Sequence, residues 1–306
     1  LRGLLGIVAL AAFAAGATPA LAQAPCDRAC LTTFIDGYFA ALIANDAGAL
    51  RQASRARITE NGSEKKLADT FWDGAQQVAY RFDIVNTTRG DTGTQTVIVN
   101  ADGSKTMHML RLKIAGGAIT EIETIKANRG EADRLWDPDR LTTVSPDLQL
   151  SIREAERDSY YALIAAAEAY WRAFQTNGTP DYHPAPLLPD ARRFENGLQT
   201  TAVVRDGVYQ SAQRGFDEGR FLNRNIWDRR YPVVDEERGI VLSIVRFGIK
   251  GGAQSQSTVT SNDRLVAEFF AVKHGYIQEI QAVLFNLPDA QPTGWPPDTG
   301  PGRGAK

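Results

Sequence analysis

The chain has 306 residues, of which 43% are hydrophobic, 9% aromatic and 23% charged. That is enough apolar material to bury a sizeable core, and it excludes a disordered or collagen-like polymer. Lys and Arg number 34 against 36 Asp and Glu, a net charge of −2, and no basic run gathers phosphates locally, so no nucleic-acid partner is expected.

Arg2 precedes the apolar residues Leu4, Leu5, Ile7, Val8 and Leu10, and an alanine-rich run closes with Ala20-Leu21-Ala22. A positive end, a short apolar stretch and small residues before the break predict a signal peptide over 1–22. The protein is then secreted, periplasmic or extracellular, with no membrane attachment after cleavage. Cys26 and Cys30 are the only cysteines. In an oxidising compartment they predict a disulfide, because residues four apart on a first helical turn come within bridging distance. The loop is tiny, so its contribution to stability is small.

Leu31, Phe34, Ile35, Tyr38, Phe39, Leu42 and Ile43 recur at three and four and predict an amphipathic helix stopped by Asn45-Asp46 and Gly48. The pattern returns in Tyr160, Leu163, Ile164, Ala167, Tyr170, Trp171 and Phe174, stopped by Asn177-Gly178. Ala56-Arg57-Ile58-Thr59-Glu60-Asn61-Gly62 matches Ala191-Arg192-Arg193-Phe194-Glu195-Asn196-Gly197 at five of seven positions. Arg81 to Asn86 lies on Arg230 to Asp235, with Arg-Gly turns at Arg89-Gly90 and Arg238-Gly239 behind them. The segment Leu112 to Ile122 mirrors Phe270 to Ile280, each a strand, a Gly turn and a strand. Matches in the same order predict a duplicated unit.

The domains are then the signal peptide (1–22), a first unit (23–127), a connector (128–157), a second unit (158–286) and a tail (287–306). The connector carries Trp136, Pro138 and Pro146 among charges and reads as ordered. The tail, rich in Pro and Gly, reads as extended and without a core of its own.

A long amphipathic helix followed by strands predicts an α+β fold of two tandem cone-shaped units, each a curved antiparallel sheet wrapping an amphipathic helix. Such a cone can leave an apolar cavity. The opening helix with Phe34, Tyr38 and Phe39, the Arg57 to Gly62 segment and the Ile114 to Ile122 hairpin resemble the nuclear transport factor two-like superfamily, which includes SnoaL-like cyclases and ketosteroid isomerases. The C-x-x-x-C opening, an E-N-G in each half and the Arg229 to Gly239 stretch resemble a group of secreted tandem proteins. Some of these are extracellular, glutathione-independent enzymes that hydrolyse β-aryl ether bonds of lignin-like dimers. The resemblance implies a cofactor-independent hydrolase on an aromatic substrate. Its rivals are a non-catalytic binding or dimerisation module of the same fold, and a SnoaL-like cyclase, isomerase or dehydratase. Fold alone does not choose among them.

Glu60 and Glu195 are the first candidates for acid/base chemistry, since a carboxyl half-buried among aromatics titrates nearer neutrality. They are read as standing where an apolar strand begins; in the rival reading each E-N-G is only a structural turn. Glu268 interrupts the apolar run Leu265 to Phe270. Period two puts it with Val266 and Phe270, on a face that looks either into the cone or outward. Tyr38, Trp72, Tyr170, Trp171, Trp227 and Tyr231 are candidates to line a pocket, and Asn196 to hold a substrate oxygen. Arg57 and Arg192 fall on the opposite strand face from the glutamates and read as rim or ion-pair residues. Asp36 reads as solvated and His108 as packed or superficial. The three histidines lack ligand spacing, and no serine elbow, zinc-protease, Walker or dinucleotide motif occurs, so neither a metal nor a cofactor is expected. Homo-oligomer formation is left open.

Overall fold

The structure, a computed structural model, describes residues 26–131, 134–249, 263–288 and 291–297; the expected signal peptide lies outside them. In chain order the first half comprises α1 (Arg28–Ile43), β1 (Gln52–Glu60), β2 (Ser63–Glu64), α2 (Leu67–Thr70), β3 (Ala75–Asn86), β4 (Asp91–Asn100), β5 (Lys105–Ala115) and β6 (Ala118–Ala127). The connector carries α3 (Pro146–Gln149). The second half comprises α4 (Tyr160–Thr176), β7 (Leu187–Glu195), β8 (Leu198–Gln199), β9 (Val203–Arg205), β10 (Val208–Gln210), α5 (Arg214–Asp217), β11 (Arg224–Asp235), β12 (Ile240–Ile249), β13 (Arg264–Lys273) and β14 (Tyr276–Asn286).

Both long helices begin at a side-chain cap: Asp27 accepts from the Cys30 amide and Ser159 from the Ala162 amide, which satisfies amides that the first turn leaves free. Cys26 and Cys30 form a disulfide beside the first cap, with Cα atoms 5.2 Å apart. The apolar stripes fall as the periodicity requires. Leu31, Ile35, Tyr38, Phe39 and Leu42 are buried on α1, and Leu163, Ala167, Tyr170, Trp171 and Phe174 on α4.

Each half holds a six-stranded sheet in one order, β2-β1-β6-β5-β4-β3 and β8-β7-β14-β13-β12-β11. The sheets are mixed, because β1 enters parallel to β6 and β7 parallel to β14; the expected all-antiparallel sheet is corrected at that pair. The two halves also share their register. Glu60 faces Thr124, which faces Leu110; Glu195 faces Ala282, which faces Glu268. The protein is thus an α+β chain of two tandem units of one topology, each a six-stranded mixed sheet packed on an amphipathic helix. Glu60 and Glu195 end their strands; they do not open apolar ones.

Each sheet packs its helix on one face and the other sheet on the opposite face. The inter-unit cluster joins Tyr80, Phe82, Met107 and Met109 to Val233, Leu242, Leu265 and Phe269. Strand β3 contacts its own counterpart β11, and β6 its counterpart β14. Like-on-like contact is the mark of a twofold interface, here made within one chain. Arg28 reaches across from α1 to Asp235 at 2.7 Å, and the Tyr80 hydroxyl donates to Gln281.

The connector covers the Asn-Gly turn of the second unit, and the tail covers that of the first. The Asp137 amide donates to the Asn196 carbonyl, and a Cβ on Gly197 (φ +85°) would collide with the Asp137 carbonyl. On the first unit, Gln291 donates to the Asn61 carbonyl, and a Cβ on Gly62 (φ +80°) would collide with that of Pro292. Trp295 lies between the Arg57 and Arg111 guanidinium groups, at 4.0 and 4.5 Å, and donates to Thr59. The tail, read from the sequence as extended, is docked on the first unit over residues 291–297. Gly197→Ala is expected to lower the thermal midpoint by several degrees more than Gly207→Ala. Both need positive φ, worth roughly 1–2 kcal/mol, but only Gly197 has a strap against it. Equal losses in thermal unfolding would show that the strap carries no load.

Candidate functional site

Along β13, Val266 and Phe270 belong to the core under α4, whereas Leu265, Ala267 and Phe269 belong to the inter-unit cluster. Glu268 shares the phase of the former pair, so its carboxyl enters the second cone, 1% exposed. It meets Arg193, whose Nη2 lies 3.6 Å from the Glu268 carboxylate and 2.9 Å from that of Glu195. The same guanidinium lies over the Phe174 and Tyr170 rings at 5.7 and 6.0 Å. The Tyr170 hydroxyl and one Glu268 oxygen are buried with no hydrogen bond of regular geometry, although the two groups interact.

Burial pushes the Glu268 carboxyl up to about 7, aided by Glu195 and opposed by Arg193. One guanidinium shared with a second acid only partly offsets the cost of burying the Glu268 charge. Burial likewise pushes the Tyr170 phenol up, so it stays a neutral donor. Burial opposes the charge on Arg193, but Glu195 and Glu268 hold it cationic. Beside this cluster runs a crevice of about 10 Å³ walled by Tyr170, Arg193, Ala191, Ala212 and Phe216. It has room for about one water molecule, not for the aromatic compound expected from the sequence.

The first unit keeps the shared Glu and Tyr but surrounds them differently. Glu60 pairs with Lys126 at 3.0 Å; burial raises its carboxyl and Lys126 lowers it, with a net upward shift. The Lys126 ammonium sits 4.6 Å from the Trp72 ring centroid. Shared register places Ile58 and Leu110 where the second unit has Arg193 and Glu268, and His108 and Lys126 where it has Val266 and Leu284. Of the titratable groups in these two clusters, the Glu and the Tyr are the ones common to both cones.

The other candidates are dispersed. Asn196 is fully engaged by backbone, donating to the Leu284 carbonyl and accepting from the Leu284 amide. Asn61 does the same with Lys126, and both have positive φ. The part given to Asn196 in holding a substrate is therefore corrected: both ends of its amide pin the turn to the neighbouring strand. Trp171 is wholly buried and donates to Ser243. Tyr231 bonds Glu168 of α4. Trp227 alternates with the core residue Ile226 and lies 5.7 Å from the Arg246 guanidinium, on the face away from the cone, so its place in a pocket is also corrected. Trp72 donates to Asn100. Arg192 pairs with Asp147 and Glu279, and Arg57 holds the tail. Asp36 is exposed and pairs with Arg81. His108 is fully buried against Tyr38, Phe39 and Trp72.

Sequence reasoning missed Arg193 and Lys126. Arg193 stands two residues before Glu195, and period two alone would have put both on one face. Lys126 comes near Glu60 only through the parallel pairing of β1 with β6, which no local pattern reveals. Among the described residues, no group of three His, Cys, Asp or Glu is placed to hold a metal ion, and no helix is long and apolar enough to cross a membrane.

A family profile described as a domain of unknown function (DUF8021) matches residues 156–284, the second unit. No curated protein matches. Among solved structures, the chain is similar to an NTF2-like protein of unknown function from Shewanella baltica, with 10% identity and a TM-score of 0.24 over 32% of this chain and 90% of that one.

Proposed function

We propose that the second unit is a cofactor-independent acid/base site, and that its substrate class is a small aromatic ether of the β-aryl type. The observation that carries the reading is the fully buried Glu268, its carboxyl pushed up to about 7 beside Arg193 and the neutral Tyr170 phenol. A group titrating near neutrality can both give and take a proton at working pH. In its acid form Glu268 protonates the ether oxygen as the carbon–oxygen bond breaks, and the phenol leaves. Water adds to the carbon and its proton passes to the Glu195 carboxylate, from which Glu268 is reprotonated; ether and water become alcohol and phenol. Arg193 holds the two carboxyls in place, and Tyr170 donates to a substrate oxygen. The choice of ether rests on the resemblance to secreted tandem hydrolases, and the disulfide supports export to an oxidising compartment.

The size of the crevice favours a second reading, a non-catalytic binding module. For an aromatic dimer to enter, the segment around Thr201 to Phe216 that walls the crevice must move outward. Incubation with a β-aryl ether dimer separates the two readings. Release of phenol by the native protein, falling roughly 10²–10⁴-fold in Glu268→Gln, supports the enzyme. No release, with saturable quenching of tryptophan fluorescence by the dimer, supports the binder.

A further inference from the structure

Arg224 opens β11 with a guanidinium that the rest of the second unit does not answer. Among the described residues it has no ion pair and no hydrogen bond, and its Nε is buried without a partner. Ile226, two residues on, faces Phe247, and Phe247 faces Arg264 of β13. Alternation and directly opposed pairing therefore put Arg224, Phe247 and Arg264 on one face of the sheet. The Arg224 guanidinium carbon lies 5.7 Å from the Phe247 ring centroid, and Arg264 is oriented by Asn286, whose Oδ1 accepts from its Nε at 3.2 Å. Burial and the neighbouring Arg264 charge both press the Arg224 guanidinium below its usual value. The nearby Asp263 carboxylate is engaged by Arg246 at 2.6 Å, on the opposite face by the same alternation. The first unit has no such pair. Ala75 opens β3 as Arg224 opens β11, and Thr106, which faces Ile98 and donates to Asn128, stands where the second unit has Arg264. Two arginines brought side by side, one with its donors unspent, are accounted for by an anion.

We propose that Arg224 and Arg264 form a binding site, at the end of the second sheet, for the oxyanion of a small molecule: a carboxylate, sulfate or phosphate. The chemistry of the ligand follows from the inventory. A guanidinium offers donors and no acceptor, in a planar fork that fits two oxygens of one oxyanion. An anion between the two forks also relieves the repulsion of like charges, which a neutral molecule does not. The Phe247 ring gives the body that carries the anion an apolar flank. Both arginines are half-buried, so the anion docks at the surface and needs no internal cavity. Arg264 precedes Glu268 by four residues, about 13 Å along a strand. The site is therefore apart from the acid/base cluster and does not depend on the reaction proposed there.

The test is a titration of ¹⁵N-arginine-labelled protein with sodium phosphate, sodium sulfate and sodium benzoate, each against sodium chloride at equal ionic strength. The Nε resonances are followed, with Arg224→Ala to assign that of Arg224. A saturable shift of the Arg224 resonance by at least one of the three, not reproduced by chloride, is expected. The affinity, read from the rise of the thermal midpoint with anion, should fall at least about tenfold in Arg224→Ala and in Arg264→Thr. Tighter binding of benzoate assigns a carboxylate ligand, and tighter binding of phosphate or sulfate a tetrahedral one. In dilute buffer both variants should unfold no lower than the native protein, since the first unit carries Ala75 and Thr106 in those places and each change relieves like-charge repulsion. The proposal is overturned if none of the three anions moves the Arg224 resonance beyond chloride, or if either variant keeps the native affinity. It is overturned also if Arg224→Ala unfolds many degrees lower in dilute buffer, since the guanidinium would then be a packing element over Phe247. Glu268→Gln should bind the anion as the native protein does, whether or not the native protein turns over an ether.

Discussion

Glu123→Leu is expected to destabilise the protein by about 3–5 kcal/mol, the cost typical of breaking a buried ion pair from one side. Glu123 lies on β6, 2% exposed at the junction of the two units. Its carboxylate takes Arg230 of β11 at 2.5 Å and Arg111 of β5 at 2.9 Å. Burial opposes its charge, yet the two guanidinium groups outweigh burial and hold its carboxyl below the usual range. Removing it leaves both arginines, each at most 5% exposed, beside an apolar side chain. Arg111 retains Glu121 at 2.8 Å, so Arg230 bears most of the loss. Urea unfolding measures the effect, and adding Arg230→Met should recover a large part of it. A loss under about 1 kcal/mol, the range of an exposed pair, would mean that the junction is hydrated. Because the carboxyl is depressed in the folded state, its contribution is present above the unfolded value near 4.5 and lost as pH falls.

Glu268→Gln is expected to abolish acid/base chemistry and also to change how stability depends on pH. A carboxyl that titrates near 7 when folded and near 4.5 when unfolded binds its proton more tightly in the folded state. Its contribution is therefore fully present below pH 4.5 and declines as pH rises to 7, by roughly 3 kcal/mol at 1.36 kcal/mol per unit. The Gln variant lacks this decline, so it should be at least as stable as the native protein at pH 8 while inactive. His108 works in the opposite window. Burial lowers its imidazole to about 3, so its penalty grows as pH falls from 6.5 toward 3, and His108→Val should flatten the acid side of the curve. Thermal unfolding from pH 4 to 8 in the three proteins separates the two effects. Parallel curves for the native protein and Glu268→Gln would mean that the carboxyl is solvated.

The residues that repeat made the fold legible. Tyr38 and Tyr170, the two E-N-G turns and the two Gly hairpins occupy matched places in matched sheets, because helix period and strand alternation are local properties of a chain. Glu268 could be narrowed to two faces by alternation but not placed, because which face of β13 meets α4 is a tertiary fact. The parallel entry of β1 and β7 was not legible, since strand partners far apart in sequence leave no local mark. The same ignorance hid Lys126 and mistook Asn196 for a ligand-binding group. Trp227 and Trp171 show why a list of aromatics does not define a pocket: one lies on the outer face, and the other spends its indole N–H on Ser243. The docked tail was unreadable for a related reason. Trp295 looked like part of a Pro-rich extension until the first unit supplied the two arginines that hold it.

The most direct measurement is a titration of the Glu268 carboxyl itself, by ¹³C NMR on glutamate-labelled protein with Glu268→Gln to assign the resonance. The arrangement of Arg193, Glu195 and Tyr170 in a dry cone predicts a midpoint near 7. A midpoint in the ordinary range near 4.5 would contradict it and leave the second unit without a proton donor at neutral pH.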